Sequence, residues 1–481
     1  MATDTSLAGQ ALLRTAREIA EAVGGRVASG DAGSRVVGVS TDSRTTARNN
    51  LFVALSGEKF DGHTWVDAAV SRGAAAVLVS DARAAEFAGL AIPVIGVAGE
   101  TLVSLGMLGR SHRDGFKNPV IGITGSAGKS TAKEMTAAVL AWGGREVLKT
   151  EGNLNNRIGV PLTVMGARPS HSACVVEMGI SFPGEMNELV KIAMPDVRVA
   201  LNAGLAHVEF LKDADGVAAE KATIFDHLRD GDTMIWNADD PRISREAGKR
   251  SASRQIRFGH ATGTDVRALS VETTAIGLQK VAIEVNGTRT FVALRMVGEH
   301  HVTNVLAAAA VGVALGVPLP EIVLGLETRF HPVPGRGDVR LLAGDVVLFD
   351  DTYNANPTST SAALRSLAAS RKAGRRRVLA ALGDMLELGD LGPDAHARIG
   401  AEAAKLSIDG LYLFGELSKK TADAATAAGM TSVRHFTSRA ALADALLADL
   451  AAGDGVLAKG SRSMKMDEVV AAVVAKRGGI S

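Results

Sequence analysis

Short apolar runs alternate with stretches of helical periodicity along most of the chain. The runs Leu51–Leu55, Ala76–Val79, Val120–Ile123, Cys174–Glu177, Val197–Leu201 and Met234–Trp236 read as strands. Three more, Arg377–Leu382, Leu411–Phe414 and Gly455–Lys459, repeat the style near the C-terminus. Nearly continuous apolar strands separated by helices predict α/β units with largely parallel sheets, because a parallel sheet is covered on both faces. At the N-terminus, Leu12, Leu13, Ile19 and Val23 predict an amphipathic helix. The most hydrophobic stretch, Val305 to Leu319, is interrupted by glycines and stops at Pro318 and Pro320. That is short of the roughly 20 residues a membrane helix needs, so it predicts a buried helix and no membrane insertion.

Two polar or Pro/Gly-rich stretches punctuate this pattern, Ser111–Asn118 and His331–Gly337. They suggest domains at 1–115, 116–331 and 332–481. Length agrees, since single cores stop growing at about 250–300 residues and the chain has 481. The charge balance, 53 Lys+Arg against 52 Asp+Glu, removes any bulk electrostatic reason to expect a nucleic-acid or anionic-membrane partner. A small-molecule partner is the expectation. The single cysteine, Cys174, lies in an apolar run, which fits a buried thiol in a reducing compartment and not a disulfide scaffold or zinc site. With no secretory pattern at Met1–Ser6, the expected location is the cytoplasm.

The strand at Val120 runs into Thr124-Gly125-Ser126-Ala127-Gly128-Lys129-Ser130-Thr131. Glycines allow backbone N–H groups to converge on phosphate oxygens, Lys129 brings a point charge to the β/γ phosphates, and the Ser130 hydroxyl can ligate Mg²⁺. The ligand is then ATP or GTP. The loop is shortened, with Ile123 standing where the usual spacing has glycine.

Ligands of open parallel sheets sit at the carboxyl ends of strands, and two further ends carry polar groups. Glu177 ends one and Asn202 to His207 follow another. A carboxylate beside the phosphates suits a hard cation that takes oxygen ligands. Taken singly, Glu177 would more often be a solvated residue and His207 a surface one. Asn153, Asn155 and Asn156 are typical turn residues, but their clustering after a phosphate loop points to contact with nucleotide or acyl phosphate.

Further motifs are spread along the chain: Ser40-Thr41-Asp42-Ser43-Arg44, Phe60-Asp61-Gly62-His63, Asn153 to Pro161, Glu177-Met178-Gly179, Asn202 to His207 and Asn237 to Pro241. In the C-terminal third they are Asp350 to Pro357 and Gly383 to Gly389. With the phosphate loop, these motifs resemble those of the ATP-dependent Mur ligases of peptidoglycan precursor synthesis over nearly the whole length of the chain. The resemblance implies a central parallel-sheet P-loop ATPase domain, an N-terminal UDP-substrate domain and a C-terminal Rossmann-like α/β domain.

It further implies ATP as the nucleotide, contacted by residues 124–131 and by Asn304, Arg336 and Asp351. It implies two Mg²⁺ ions, held by Ser130, Glu177, His207 and a carbamate formed from CO₂ on Lys221. Without the resemblance, Lys221 reads as an exposed helix lysine. Catalysis falls to Lys129, Glu177, His207 and Lys221. Substrate contacts fall to Ser43, Arg44, Asp61, Gly62, His63, Asn155, Asn156, Lys459, Ser461 and Arg462. Two positions depart from the family pattern: His301, where asparagine is common, and Thr223, where an acidic residue is common.

The reaction implied is ligation of D-alanyl-D-alanine to UDP-N-acetylmuramoyl-tripeptide through an acyl phosphate, by a monomer. The alternative within the family adds the third amino acid of the peptide, but the Asp-Asn-Pro-Arg motif of that branch is absent. A folylpolyglutamate synthase shares the architecture but is disfavoured by the Asp42-Ser43-Arg44 and Asp61-Gly62-His63 motifs. A nucleotide-dependent switch protein, from a different class, would turn over ATP without either peptide substrate.

Overall fold

The computed structural model describes residues 13–57, 60–204, 211, 213–273, 278–294, 296, 298, 300–372 and 374–478. Within them the chain builds three main sheets, each with its own apolar clusters. The first has five strands in the order Arg26–Ser29, Val94–Val97, Ala76–Ser80, Leu51–Val53 and Val39–Ser40, parallel except at the Arg26–Ser29 edge. The third has six, Asp338–Leu342, Val346–Asp351, Gly455–Lys459, Val378–Gly383, Gly410–Phe414 and Val433–Phe436, parallel except at the Asp338–Leu342 edge. The expected α/β architecture with largely parallel sheets is what the chain adopts.

The middle sheet has nine strands. Its parallel part runs Val147–Lys149, Ala173–Glu177, Val120–Thr124, Val197–Ala200, Thr233–Asn237, Arg254–Gly259 and Val266–Thr273. An antiparallel ribbon, Gln279–Val285 and Thr288–Leu294, extends it. The reading from sequence did not include these last four strands. The signal was present: Val281, Ile283 and Val285 are apolar at every second position and reach the core, and Asn286-Gly287 turns the hairpin with φ of 48° and 78°.

The stretch from Val305 folds as expected into a buried helix, His300–Ala314, with Ala307 to Ala310 in the core. It packs on Lys129–Leu140, the helix that follows the phosphate loop. Gly312 permits the close approach, since a Cβ there would stand 3.0 Å from Val139 Cγ1. Among the described residues no helix is long and apolar enough to cross a membrane. Cys174 is buried as expected, and burial pushes its thiol up to about 12.

Two local readings change. The N-terminal helix is shorter than its pattern suggested, Ala16–Ala22, with Leu13 exposed before it and Leu12 outside the described residues. The stretch Ser111–Asn118, read as a linker, begins as the last turns of the helix Thr101–Gly115. Arg113 is buried there, bonded to Asp196 Oδ2 at 2.7 Å and to the carbonyls of Ala193 and Phe116 at 3.0 and 2.8 Å. A polar sequence was mistaken for a solvated one because its partners lie some eighty residues away. Arg198, fully buried in mid-strand, follows the same rule: it bonds Asp232 and the carbonyls of Pro195, Ile224 and His227.

Candidate functional site

The phosphate loop is set by steric necessity at its glycines. Gly128 caps the helix Lys129–Leu140 with φ +85°, and a Cβ there would lie 2.4 Å from Asn304 Oδ1. Asn202, at the end of the neighbouring strand, splints the loop: its Oδ1 accepts from Ala127 N at 2.9 Å and its Nδ2 donates to Ala127 O at 3.1 Å. Ser126 Oγ accepts from Gly204 N at 2.9 Å. The loop is held from outside, with Ser126 N also donating to Asn202 O at 3.0 Å. Ile123 is a buried strand residue, so the strand ends one residue beyond it, at Thr124, before the shortened turn begins.

Around the loop the polar side chains converge. Lys129 Nζ donates to Gly125 O at 2.8 Å across the turn. Ser130 Oγ donates to Glu177 Oε2 and Asn155 Nδ2 to Glu177 Oε1, both at 2.8 Å. Glu177 is 2% exposed, and its N–H donates to Thr150 Oγ1 at 2.9 Å. Lys133, a turn further along the helix, donates to Thr150 O at 2.6 Å and stands 4.0 Å from Glu177. Lys133, like Asn202, carries the site without having been singled out from sequence; its position one turn after Lys129 on the same helix was the available signal.

Burial pushes the Lys129 ammonium down from the usual lysine range; Glu177 opposes this and the Arg336 charge reinforces it. Arg336 is therefore within electrostatic reach of the loop. With Asp351 and Lys459 from the third sheet, it lines the same cavity of about 490 Å³ as Lys129, Ser130, Glu177, Asn155 and Asn156. Lys459 Nζ bonds Asp351 Oδ2 at 2.6 Å and Asn354 O at 2.9 Å. Asn156 also fixes the turn that leads into the helix Gly159–Met165, its Oδ1 accepting from Ile158 N and Gly159 N at 3.1 and 3.0 Å. Asn304 faces an adjoining cavity of about 250 Å³ that shares Ser126, Ala127 and Gly128, with Asn237 and Asp240. Its Nδ2 lies 3.4 Å from His301 Nδ1.

Lys221 lies in the helix Ala214–Ala222 and is 1% exposed, which replaces the exposed helix lysine its sequence suggests. Burial first, and the positive charge of Lys129 second, push its amine well below the usual lysine range, against the pull of Glu220. His207 lies outside the described residues. Ser461 is buried, its Oγ accepting from Leu386 N at 2.9 Å; Arg462 is largely exposed beside Tyr353. Neither lines the cavity.

The first-sheet motifs are not brought to this cavity or to its neighbour. Asp61 caps the turn Gly62–Trp65, and its Oδ1 lies 2.7 Å from His63 Nδ1. Because His63 Nε2 accepts from Ser80 N at 3.0 Å, the ring proton sits on Nδ1 and donates to Asp61. Burial raises the Asp61 carboxyl, but hydrogen bonds from His63 and Ser56 outweigh it and hold the group well below the usual carboxylate range. Gly62 has no room for a side chain, with Leu55 O 2.6 Å from its would-be Cβ. Ser43 is buried, and exposed Arg44 folds back on Asp42 at 2.6 Å.

Three family models match the chain: the Mur ligase family catalytic domain over residues 35–107, the Mur ligase middle domain over 123–312 and the Mur ligase glutamate ligase domain over 335–462. The UDP-N-acetylmuramoyl-tripeptide--D-alanyl-D-alanine ligase of Bacillus subtilis is 33% identical over 95% of this chain and 97% of its own. A crystal structure of MurF from Acinetobacter baumannii superposes with a TM-score of 0.85 at 30% identity, covering 96% of this chain and 99% of the other. The MurF ligase of Thermotoga maritima in complex with ADP gives a TM-score of 0.78 at 27% identity, covering 91% and 97%. With a phosphate loop, a buried carboxylate and a facing lysine gathered in one cavity, and matches over most of its length, this chain belongs to the Mur ligase family.

Proposed function

We infer that the chain is an ATP-dependent carbon–nitrogen ligase that joins D-alanyl-D-alanine to UDP-N-acetylmuramoyl-tripeptide, yielding ADP and phosphate in peptidoglycan precursor synthesis. The observation that carries this reading is the shared cavity, where Lys129, Ser130 and Glu177 are joined by Arg336 from the connecting segment and by Asp351 and Lys459 from a different sheet.

The γ-phosphoryl group of ATP passes to the terminal carboxylate of the tripeptide, breaking the bond to ADP and forming an acyl phosphate. Lys129 at the loop stabilises charge on the transferring group. The dipeptide amine attacks the acyl carbon, loses a proton, and the tetrahedral intermediate expels phosphate. Closing the third sheet over the loop keeps water from the acyl phosphate.

Ser130 Oγ and Glu177, adjacent and oxygen-bearing, fit a Mg²⁺ beside the phosphates, which would neutralise phosphate charge there. The second ion of our reading calls on His207 and on Lys221 as its carbamate. Burial keeps part of the Lys221 amine unprotonated, the form that adds to CO₂. Residues 124–131, Asn304, Arg336 and Asp351 are assigned to the nucleotide. Ser43, Arg44, Asp61, Gly62 and His63 are assigned to the uridine nucleotide of the substrate, and Asn155, Asn156, Lys459, Ser461 and Arg462 to the reacting peptides. Domains at 1–115, 116–331 and 332–481, a monomeric state and a cytoplasmic location complete the proposal.

Phosphate release by purified protein tests it. Release that requires both UDP-muramoyl-tripeptide and D-alanyl-D-alanine supports the ligase. Turnover indifferent to both overturns it, and turnover with the dipeptide-level UDP substrate and a single amino acid would move the chain to the preceding step.

A further inference from the structure

Arg336 reaches the phosphate-loop cavity from the segment that joins the second and third sheets, and its Nε is buried without a hydrogen-bond partner among the described residues. What holds the guanidinium is an aromatic face: its Cζ lies 3.8 Å from the centroid of Tyr353. That distance is well inside the range of a cation–π contact. The stack is fixed by the backbone, because Tyr353 N donates to Gly335 O at 2.9 Å. Gly335 has φ +76°, and a Cβ there would stand 3.1 Å from Thr352 Oγ1 and 3.2 Å from Tyr353 N, so only glycine lets the two segments pass this closely.

Tyr353 itself follows the strand Val346–Asp351, whose last residue is ion-paired to Lys459. A second guanidinium, that of Arg462, lies 5.4 Å from the same ring. The ring thus belongs mechanically to the third sheet, while the charge it carries belongs to the phosphate site.

We propose that Tyr353 is a positioning residue: its ring holds Arg336 toward the terminal phosphate of the nucleotide, so that the third sheet's placement governs recognition of the group to be transferred. This rests on the reading that the loop binds ATP. It requires that Tyr353 act on the triphosphate end and not on nucleotide binding in general.

The test compares affinities of the full chain for ADP and for an ATP analogue with a non-hydrolysable β–γ link, with no muramoyl substrate present. Wild type should prefer the analogue, and Tyr353→Leu should lose about five- to tenfold of that preference while still binding ADP. Tyr353→Phe, which keeps the ring, should restore it. In an Arg336→Gln background, Tyr353→Leu should change the preference less than about twofold, since the ring acts through the arginine. Should the leucine variant fail to fold, Tyr353→Met carries the same comparison. An unchanged preference in the ring-less variant overturns the proposal, as does an equal loss in the Arg336→Gln background or a wild type without preference. Failure of peptide ligation with nucleotide discrimination intact would instead count against the ligase reading alone.

Discussion

The two walls of the cavity use the same chemistry in opposite ways. On the phosphate-loop wall the cation, Lys129, is bonded to a carbonyl, and the nearby carboxylate, Glu177, is held by neutral donors from Ser130 and Asn155. Each is hydrogen-bonded through neutral partners, and Lys133 stands 4.0 Å from Glu177. On the facing wall Lys459 and Asp351 are paired directly and shielded, with side chains 3% and 16% exposed. A charge held by neutral partners can be turned on a transition state directly, whereas a paired one must first exchange its partner for a ligand.

The sharpest way to break this contrast is Lys129→Ala. Turnover should fall on the order of 10³-fold, as for other single donors at a site of developing charge, with the melting temperature nearly unchanged. A comparable loss of stability would make Lys129 structural. Lys459→Met should cost stability as well as the peptide contact assigned to it: it leaves Asp351 uncompensated and should cost about 3 kcal/mol in denaturant unfolding. Adding Asp351→Asn should recover part of that stability, and no recovery would mean that the two do not act as a pair.

Lys221 lies behind the first wall and tests its reserve of charge. Lys221→Ala should abolish turnover, and short-chain carboxylic acids should restore part of it; full activity without them would remove the carbamate. In CO₂-depleted buffer the native amine binds protons less readily than the unfolded one. Wild-type stability should therefore rise with pH from the depressed native pKa toward the unfolded value of about 10.4. Lys221→Met should lack that slope and melt a few degrees higher at neutral pH. The smallest effect belongs to the first sheet. Asp61 is held below its usual range, so Asp61→Asn should lose stability above about pH 4, and the difference should vanish as acid protonates the wild-type carboxyl. Because that carboxyl is 40% exposed and screened, the loss should stay under about 1 kcal/mol.

Much of this molecule was legible from residue order. The strand at Val120, the loop to Thr131 and the carboxylate at Glu177 could be read because strand, turn and helix signals are local and parallel sheets gather ligands at one edge. The ribbon from Gln279 to Leu294 was missed although its alternation and Asn286-Gly287 turn are local too. The polar run at Ser111 misled for a different reason: Arg113 has buried partners some eighty residues distant, which no window of sequence contains.

The sequence by itself therefore determined the α/β class, the position of the phosphate loop and which residue types could bind phosphate. Only the tertiary structure decided the electrostatic state of each group. It buried Lys221, bonded Lys459 to Asp351 and Lys129 to the Gly125 carbonyl, and laid Arg336 on Tyr353. Propensity and periodicity act over a few residues, but desolvation and Coulomb interaction depend on what arrives through space, and that is fixed when the sheets pack.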